Sequence, residues 1–434
     1  MPLRLDAGQD GFAQAFEDLL DARREAGVDV RDDVAAIVAQ VKSEGDAALI
    51  ALTAKFDRLE LTADQLRVSP EEIAAARALC DPDAVAALEM ARARIIAYHE
   101  RQKPEDFDYV DDTGIRLGST WRAVSAAGLY VPGGTAAYPS SVLMNAVPAR
   151  VAGVERLVMV VPSPDGVLNP LVLAAADIAG VDEVYRVGGA QAVAALAYGT
   201  DTIAPVDKIV GPGNAFVNEA KRQVFGPVGI DQLASPSEIY ILADHTGDAE
   251  MIATDLLAQA EHDVRTRVGL ITTDPALAQA VEDEVARQLT VLKTSETAGQ
   301  AWRDYGEIAI CEDEAAMIAY SDFIAAEHLQ IHTENPKDMA TKLRNYGSLF
   351  IGELASVVYS DKCCGTNHTL PTMAAGRYTG GLWVGAFVKT CTHQWMEPEG
   401  VNAVAPPAVR QSTSEGLDGH RRAAQLRLDR LQAQ

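Results

Sequence analysis

Residues 128–164, GLYVPGGTAAYPSSVLMNAVPARVAGVERLVMVVPSP, carry the pattern from which the fold class of this chain of 434 residues follows. An apolar strand leads into a Gly-Gly loop, a helical pattern comes next, and a second buried strand ends in a proline-rich turn. The alternation continues to residue 226, through strands at 183–189 and 208–213. Strands and helices that alternate with short loops predict a parallel sheet covered by helices on both faces.

The ends of these strands predict where a ligand would bind. Ligands of parallel sheets bind beyond the carboxyl ends of the strands, and Tyr130, Gln191 and Asn214 fall at that edge. The turns at 187–195 and 210–217 resemble dinucleotide-binding loops, although neither has the G-x-G-x-x-G spacing. Any α/β protein needs such a turn for packing. Three glycine turns in one short domain, these two and the Gly-Gly loop at 133–134, favour nucleotide binding.

Further buried strands at 237–244, 268–274 and 307–313 predict a second α/β layer, built from sequence on both sides of the first. A strand hairpin is predicted for 106–122. The predicted organisation is a helical N-terminal segment 1–24, a first α/β domain of 25–128 and 238–382, an inserted nucleotide-binding domain 129–237, and a C-terminal arm 383–434. From residue 384 onward we expect helix, interrupted at Pro406 and Pro407.

Composition and charge narrow the classes of function. The chain has 37 Lys and Arg against 62 Asp and Glu, a formal charge of −25 at pH 7. Nucleic acid and anionic membrane surfaces need a basic partner, so we expect neither, whereas a locally positive pocket for a small ligand stays open. Five cysteines do not make a disulfide framework. No signal-peptide pattern or membrane-length apolar run is present, and we expect a soluble cytoplasmic protein.

A long polar loop is predicted at 356–383, SVVYSDKCCGTNHTLPTMAAGRYTGGLW. No helical or strand period runs through it, and it gathers Asp361, Lys362 and His368 between glycine-rich turns. Long loops inside an otherwise apolar chain are more often functional than decorative. The alternative is a solvated surface loop, although a bulky residue such as Trp383 argues against it.

Four side chains form a candidate set of metal ligands. Gln259 and His262 are three residues apart on a predicted helix, so they share one face. With Asp361 and His420 they offer nitrogen and oxygen donors that suit zinc or another borderline divalent ion. Each histidine alone has a simpler explanation, because one near a helix end is usually hydrogen-bonded or stabilises the helix dipole.

The pair Glu327-His328 offers general-base chemistry after a predicted helix. One member could take the proton of an alcohol while the other activates a water molecule. The alternative is a helix C-terminus that His328 stabilises, which is the commoner explanation for a single Glu-His pair.

Seven motifs, taken in chain order, resemble those of the histidinol dehydrogenase family. They are YVPGGTAAYPSSVLMNAVPA, RVGGAQAVAALAYGT, KIVGPGNAFVNEAKR, DLLAQAEHD, AAEHL, GTNHTLPT and EGLDGH, and they span nearly the whole chain. The resemblance implies two Rossmann-like domains of the aldehyde-dehydrogenase type, with parallel sheets and the second inserted into the first, plus a helical C-terminal arm. It also implies a homodimer that uses NAD and Zn²⁺ to oxidise a primary alcohol to a carboxylate, through an aldehyde, in two hydride transfers.

The resemblance implies a role for each matching residue. In catalysis, His328 would take the alcohol proton and Glu327 would activate the water that attacks the aldehyde. The expected contacts of NAD are Tyr130, Gln191 and Asn214. The expected zinc ligands are Gln259, His262, Asp361 and His420. The expected substrate contacts are Ser237, His368 and Glu415. In this family the residues matching Glu415 and His420 come from the partner subunit.

Two departures from the family pattern concern the substrate. Lys362 stands where histidinol-oxidising members have tyrosine, and 379–383 reads TGGLW where they have a Ser-Gly-Leu-Ser type sequence. Because a lysine would repel the histidinol cation, Lys362 predicts a small polar alcohol with an anionic group, as in the sulfopropanediol dehydrogenase branch. One alternative is an L-histidinol dehydrogenase of histidine biosynthesis, with Lys362 turned from the pocket. Another is a catalytically silent binding or structural paralogue.

Overall fold

The computed structural model describes residues 2–7, 29–133, 138–234 and 236–433. They form two compact units, the first Met1–Gln102 with Ser125–Phe387 and the second Lys103–Val124 with Val388–Gln434. Most of the predicted N-terminal helical segment lies outside the described residues, and the part near the start is a strand. Both parallel sheets belong to the first unit, and the boundaries predicted for the two α/β domains stay a prediction.

One parallel sheet, called the larger sheet here, has the strand order β1-β11-β10-β9-β12-β13 among the described residues. With strands numbered in chain order, it consists of β1 Leu3–Asp6, β9 Glu238–Ala243, β10 Arg267–Thr272, β11 Gly306–Ile310, β12 His328–His332 and β13 Ser348–Ile351. All residues of β9 are buried, as its apolar run predicts for a central strand covered on both faces.

The second parallel sheet, called the smaller sheet here, has the order β6-β5-β4-β7-β8 in the described part of the chain. It consists of β4 Ala126–Tyr130, β5 Arg156–Val160, β6 Glu183–Tyr185, β7 Lys208–Val210 and β8 Gly229–Ile230. Its strands pair in parallel, which confirms the prediction from residues 128–226. The strand order reverses beside β4, and such a point is where open α/β sheets bind ligands.

Helices cover both sheets. Those of the described residues are α1 Arg31–Glu44, α2 Asp46–Asp57, α3 Pro70–Ala78, α4 Pro82–His99, α5 Pro139–Ala152, α6 Pro170–Ala179, α7 Gly189–Tyr198, α8 Ala215–Val224, α9 Ala249–Ala260, α10 Pro275–Leu289, α11 Ser295–Tyr305, α12 Glu314–Ile324, α13 Pro336–Lys342, α14 Val357–Lys362, α15 Pro398–Ser414 and α16 Asp418–Gln432. Ser69 and Asp248 accept backbone N–H groups at the starts of α3 and α9, as N-cap residues do. None of these helices combines the length and apolar character that a membrane crossing requires.

The second unit contains an antiparallel sheet of order β14-β3-β2, together with α15 and α16. Its strands are β2 Phe107–Val110, β3 Ile115–Ala123 and β14 Val388–Met396, and the hairpin predicted for 106–122 is confirmed. The prediction of helix from residue 384 is wrong for 388–396, where β14 pairs with β3 along its whole length, and is confirmed from 398 onward by α15 and α16. Val388, Thr390 and Thr392 place β-branched side chains at alternate positions in the first part of β14 only, which is a short strand signal. Pro406 and Pro407 lie inside α15 and do not interrupt it.

Candidate active site

A cavity of about 610 Å³ in the first unit gathers most of the predicted site residues. Those that line it are Tyr130, Gln191, Asn214, Ser237, Gln259, His262, Glu327, His328, Asp361, Lys362 and His368. The two others, Glu415 and His420, belong to the second unit: Glu415 follows the last residue of α15, and His420 lies in the first turn of α16. Both are exposed.

The residues predicted to contact NAD meet at the carboxyl edge of the smaller sheet. Tyr130 ends β4, Gln191 lies in the first turn of α7 after β6, and Asn214 caps α8 after β7. The Gly189 N–H donates to the Tyr130 hydroxyl at 3.1 Å, and burial raises the pKa of Tyr130 to about 12. A side chain at Gly189 would strain a backbone with φ of 65° and place its Cβ 2.7 Å from Gln191 Oε1.

Most of the residues predicted for catalysis and metal binding meet at the amino edge of the larger sheet, where its strands begin. Ser237 precedes β9, and Glu327 precedes β12, which begins at His328. β9 and β12 are neighbours, so these residues converge. Because α9 follows β9 and returns over the sheet, its end carries Gln259 back to the edge where β9 begins. The cavity therefore lies between the carboxyl edge of one sheet and the amino edge of the other.

His328 is held as a base with a defined tautomer. Its Nδ1 is 2.9 Å from the carbonyl oxygen of Glu238, which can only accept, so Nδ1 carries the proton and Nε2 the lone pair. Among the described residues, Nε2 is buried with no hydrogen-bond partner. Burial lowers the pKa of His328, which keeps the ring neutral near pH 7. An unpaired nitrogen on the wall of a cavity is suited to accepting a proton from a bound ligand.

Glu327 is a buried carboxylate beside this base. Its Oε2 accepts the Glu238 N–H at 2.8 Å and lies 3.5 Å from His328 Nδ1. Burial raises the pKa of Glu327 well above its ordinary value, despite the hydrogen bond from Glu238. A raised pKa makes the ionised carboxylate a stronger base for water. The commoner explanation of a Glu-His pair, a surface helix end, does not fit, because α12 ends before it and both side chains are buried.

The predicted loop 356–383 is not wholly irregular, since it begins with α14. The short helix ends at Asp361 and Lys362. Asp361 Oδ1 lies 3.6 Å from His368 Nδ1, and each side chain is 13% exposed. Burial opposes ionisation of Asp361. The hydrogen bond and charge of His368, together with His328 and Lys362, nevertheless lower the pKa of Asp361 to about 2. Asp361 is therefore an anion across the ordinary pH range.

The donor set in the cavity fits a zinc ion. His262 and Asp361 offer an imidazole nitrogen and a carboxylate, which are ordinary ligands of zinc, and Gln259 adds an amide oxygen. Burial lowers the pKa of His262, so its ring is in the neutral form that binds metals. Within the described ranges, no three His, Cys, Asp or Glu side chains gather as a metal site. Further ligands must then come from an amide such as Gln259, from substrate or from another chain.

Two residues of the cavity escaped the sequence analysis. Ser141, in the first turn of α5, has its Oγ 3.3 Å from His368 Nε2, and thus orients that ring. Asp57 ends α2 and lines the cavity although it is 8% exposed. Ser141 follows the Gly-Gly loop at 133–134, and this position was the signal that could have found it. Asp57 had no such signal, because α2 also carries Asp46, Thr53 and Lys55.

Comparisons with known proteins show what this chain is similar to. The family model described as Histidinol dehydrogenase matches residues 21–428. A histidinol dehydrogenase of Ruegeria pomeroyi is 53% identical over 431 residues, covering 99% of this chain and 100% of that protein. One of Mesorhizobium japonicum is 52% identical over 429 residues, with 99% and 100% covered. The crystal structure of histidinol dehydrogenase from Elizabethkingia anophelis superposes with a TM-score of 0.93 at 33% identity, covering 99% of each chain, which confirms the α/β fold.

Proposed function

This chain belongs to the histidinol dehydrogenase family, and we propose that it oxidises L-histidinol to L-histidine, through the aldehyde, with NAD as hydride acceptor. The observation that carries the proposal is the buried Glu327-His328 pair, whose His328 Nε2 waits unpaired on the cavity wall. Two oxidations at one carbon need a base for the alcohol and a second group for the water. The pair supplies both.

The substrate is the point on which we revise the expectation from the sequence. Two relatives named histidinol dehydrogenase are 53% and 52% identical to this chain over nearly its whole length. They support the alternative, L-histidinol, better than an anionic sulfopropanediol-like alcohol. Lys362 lines the cavity but is largely exposed, at the C-terminal end of α14, where a helix favours a cation. The carboxylate of Asp361, whose pKa the charge of Lys362 helps to lower, offsets that charge without a substrate anion.

Histidinol dehydrogenases use NAD and Zn²⁺, and the cavity has donors for both. Tyr130, Gln191 and Asn214 would hold NAD at the carboxyl edge of the smaller sheet. The zinc donors of this chain would be Gln259, His262 and Asp361. NAD supplies the hydride acceptor and zinc supplies a fixed point that orients the substrate.

Each protein group then has one task. His328 Nε2 accepts the proton of the alcohol while its Nδ1–H stays on the Glu238 carbonyl, which stabilises the charged ring. Glu327 takes a proton from the water that attacks the aldehyde carbon. Ser237 and His368 line the same cavity and orient the substrate.

The first test is NADH formation by the zinc-loaded enzyme with L-histidinol and with 2,3-dihydroxypropane-1-sulfonate in parallel. We expect turnover of L-histidinol with two NADH per molecule and none of the sulfonate. Turnover of the sulfonate alone would reject the proposal. Lys362 would then bind the sulfonate group, and Lys362→Met should abolish that activity. Silence with both compounds would count for the catalytically silent paralogue.

A homodimer with shared sites is part of the proposal. Glu415 and His420 are exposed in the second unit and do not line the cavity of the first. We propose that His420 completes the zinc ligands, and Glu415 the substrate contacts, in the partner subunit. Shared sites let two defective chains complement each other, because a mixed dimer has one site with both defects and one intact site.

The matching experiment mixes inactive His328→Ala and His420→Ala chains after reversible unfolding. Random pairing should restore about a quarter of the wild-type sites. Each variant refolded alone should stay inactive, and size measurements should report a dimer throughout. If the mixture stays inactive while mixed dimers form, the two residues act in one chain and the shared site is excluded.

A further inference from the structure

The carboxyl end of β5 lacks a residue that dinucleotide-binding sheets ordinarily carry there. In such folds an acidic side chain at the end of the second strand accepts hydrogen bonds from the adenosine ribose. Here β4 is the first strand and β5 the second, and the residues directly after β5 are Val161, Pro162, Ser163 and Pro164. None of these four has a charge.

A carboxylate from elsewhere in the chain occupies that place. Asp57 ends α2, 106 residues earlier, and its Oδ2 accepts the backbone N–H of Ser163 at 3.2 Å. Asp57 lines the cavity together with Pro162 and Pro164. The fold thus brings a carboxylate to the end of the second strand by tertiary packing, where other dinucleotide-binding proteins encode it locally.

The Asp57 carboxylate accepts the Ser163 N–H and is not paired with the guanidinium of Arg58. The adjacent Arg58 turns its guanidinium to Asp165, with Nε 2.7 Å from Oδ1, and both side chains are mostly exposed. Burial raises the pKa of Asp57, and the Ser163 hydrogen bond and the charge of Arg58 partly offset this. A buried acid without a close ion pair costs stability, and such groups concentrate at functional sites.

The surroundings suit an adenosine more than a phosphate. Phe56, 45% exposed, and Ile37 line the cavity beside Asp57, and they offer apolar surface to a base. Arg58, the cation next in sequence, is held by Asp165. A 2′-phosphate placed here would meet the buried Asp57 carboxylate, while the nearby Arg58 guanidinium is already paired with Asp165.

We propose that Asp57 accepts hydrogen bonds from the ribose hydroxyls of the adenosine half of NAD and thereby selects NAD over NADP. The inference rests on the proposed function in one respect, that NAD is the cofactor. It adds a specificity-determining residue that lies in α2, remote in sequence from the glycine turns. Its role is in binding and not in the chemical steps.

The test measures binding by calorimetry, without substrate, for wild type and Asp57→Asn. The asparagine oxygen can still accept the Ser163 N–H, so the loop keeps its contact. Hydrogen bonds to a charged acceptor should make NAD⁺ bind about 10- to 100-fold more weakly to the variant. Wild type should bind NAD⁺ lacking the adenosine 2′-hydroxyl more weakly than NAD⁺, whereas Asp57→Asn should distinguish the two poorly. The preference for NAD⁺ over NADP⁺ should shrink in the variant.

Asp64→Asn is the matched control, because it removes an exposed carboxylate that does not line the cavity and leaves the Arg58–Asp165 pair in place. It should bind NAD⁺ as wild type does. Equal NAD⁺ affinity of wild type and Asp57→Asn, or an unchanged preference over NADP⁺, would overturn the assignment. A wild type that binds NAD⁺ with this pattern but does not oxidise L-histidinol would reject the proposed function and leave Asp57 in its role. A wild type that does not bind NAD⁺ would overturn both.

Discussion

His328→Asn should lower kcat for NADH formation from L-histidinol by about 100- to 10,000-fold, the range that a positioned general base contributes. The asparagine amide can still donate to the Glu238 carbonyl, so the change removes mainly the unpaired Nε2. Supplied L-histidinal should still be oxidised, because that stage depends on Glu327. Stopped-flow measurement of NADH with each substrate separates the two stages.

The pH profile provides a second check on His328. Burial lowers the pKa of this imidazole below its ordinary value of 6.5, and it acts as a base only when neutral. Alcohol oxidation should therefore lose activity only as the pH falls below about 6.5. His332→Asn, at the far end of β12 and outside the cavity lining, is the matched control and should retain the profile. Equal losses in both variants would point to damage of β12 instead of loss of a base.

Glu327→Gln should release one NADH per L-histidinol and then stall, with L-histidinal accumulating. Oxidation of supplied L-histidinal should fall by about 100- to 10,000-fold, because an amide cannot accept the proton of the attacking water. The glutamine oxygen can still accept the Glu238 N–H, so the geometry should persist. Single-turnover kinetics with product analysis count the NADH released and the aldehyde left. Full two-step turnover by this variant would refute the role of Glu327.

The same variant should be at least as stable as wild type at neutral pH. Folding raises the pKa of Glu327, so the folded chain holds that proton more tightly than the unfolded chain. The stability that the proton contributes is present below the unfolded pKa and is lost as pH rises through the folded pKa. The midpoint temperature of thermal unfolding of wild type should therefore fall, relative to that of Glu327→Gln, as the pH rises above about 4.5. Glu307 is a buried carboxylate that accepts a hydrogen bond from the Tyr240 hydroxyl and does not line the cavity. Glu307→Gln should instead be less stable than wild type.

Much of the fold followed from local patterns in the sequence. The run of strands and helices in 128–226 predicted a parallel sheet, and its turns predicted the places of Tyr130, Gln191 and Asn214. These predictions held because side-chain period and turn chemistry act over a few residues. The prediction that Gln259 and His262 share one helix face is wrong in part, because α9 ends at Ala260 and His262 follows it, although both residues line the cavity.

Strand β14 shows where local patterns were insufficient. Residues 388–396 were expected to be helical, yet they pair with β3, about 270 residues earlier in the chain. A strand at a sheet edge is stabilised by its neighbour, and its own sequence shows only weak preference. The substrate prediction from Lys362 is less well supported than its alternative, L-histidinol, because the relatives are named histidinol dehydrogenase. Residue type alone does not reveal which charges surround Lys362 at the end of α14.

The chain's composition and motifs were enough to identify the family, the sheet class and eleven residues that line the cavity, since each is encoded in short segments. The tertiary structure was needed for the properties that depend on distant neighbours. Packing of β12 against β9 selects the tautomer of His328, and burial raises the pKa of Glu327. Contact of α2 with the end of β5 brings Asp57 to the cavity. Burial and long-range contact are properties of the folded chain, and hydrogen bonds and pKa values depend on both.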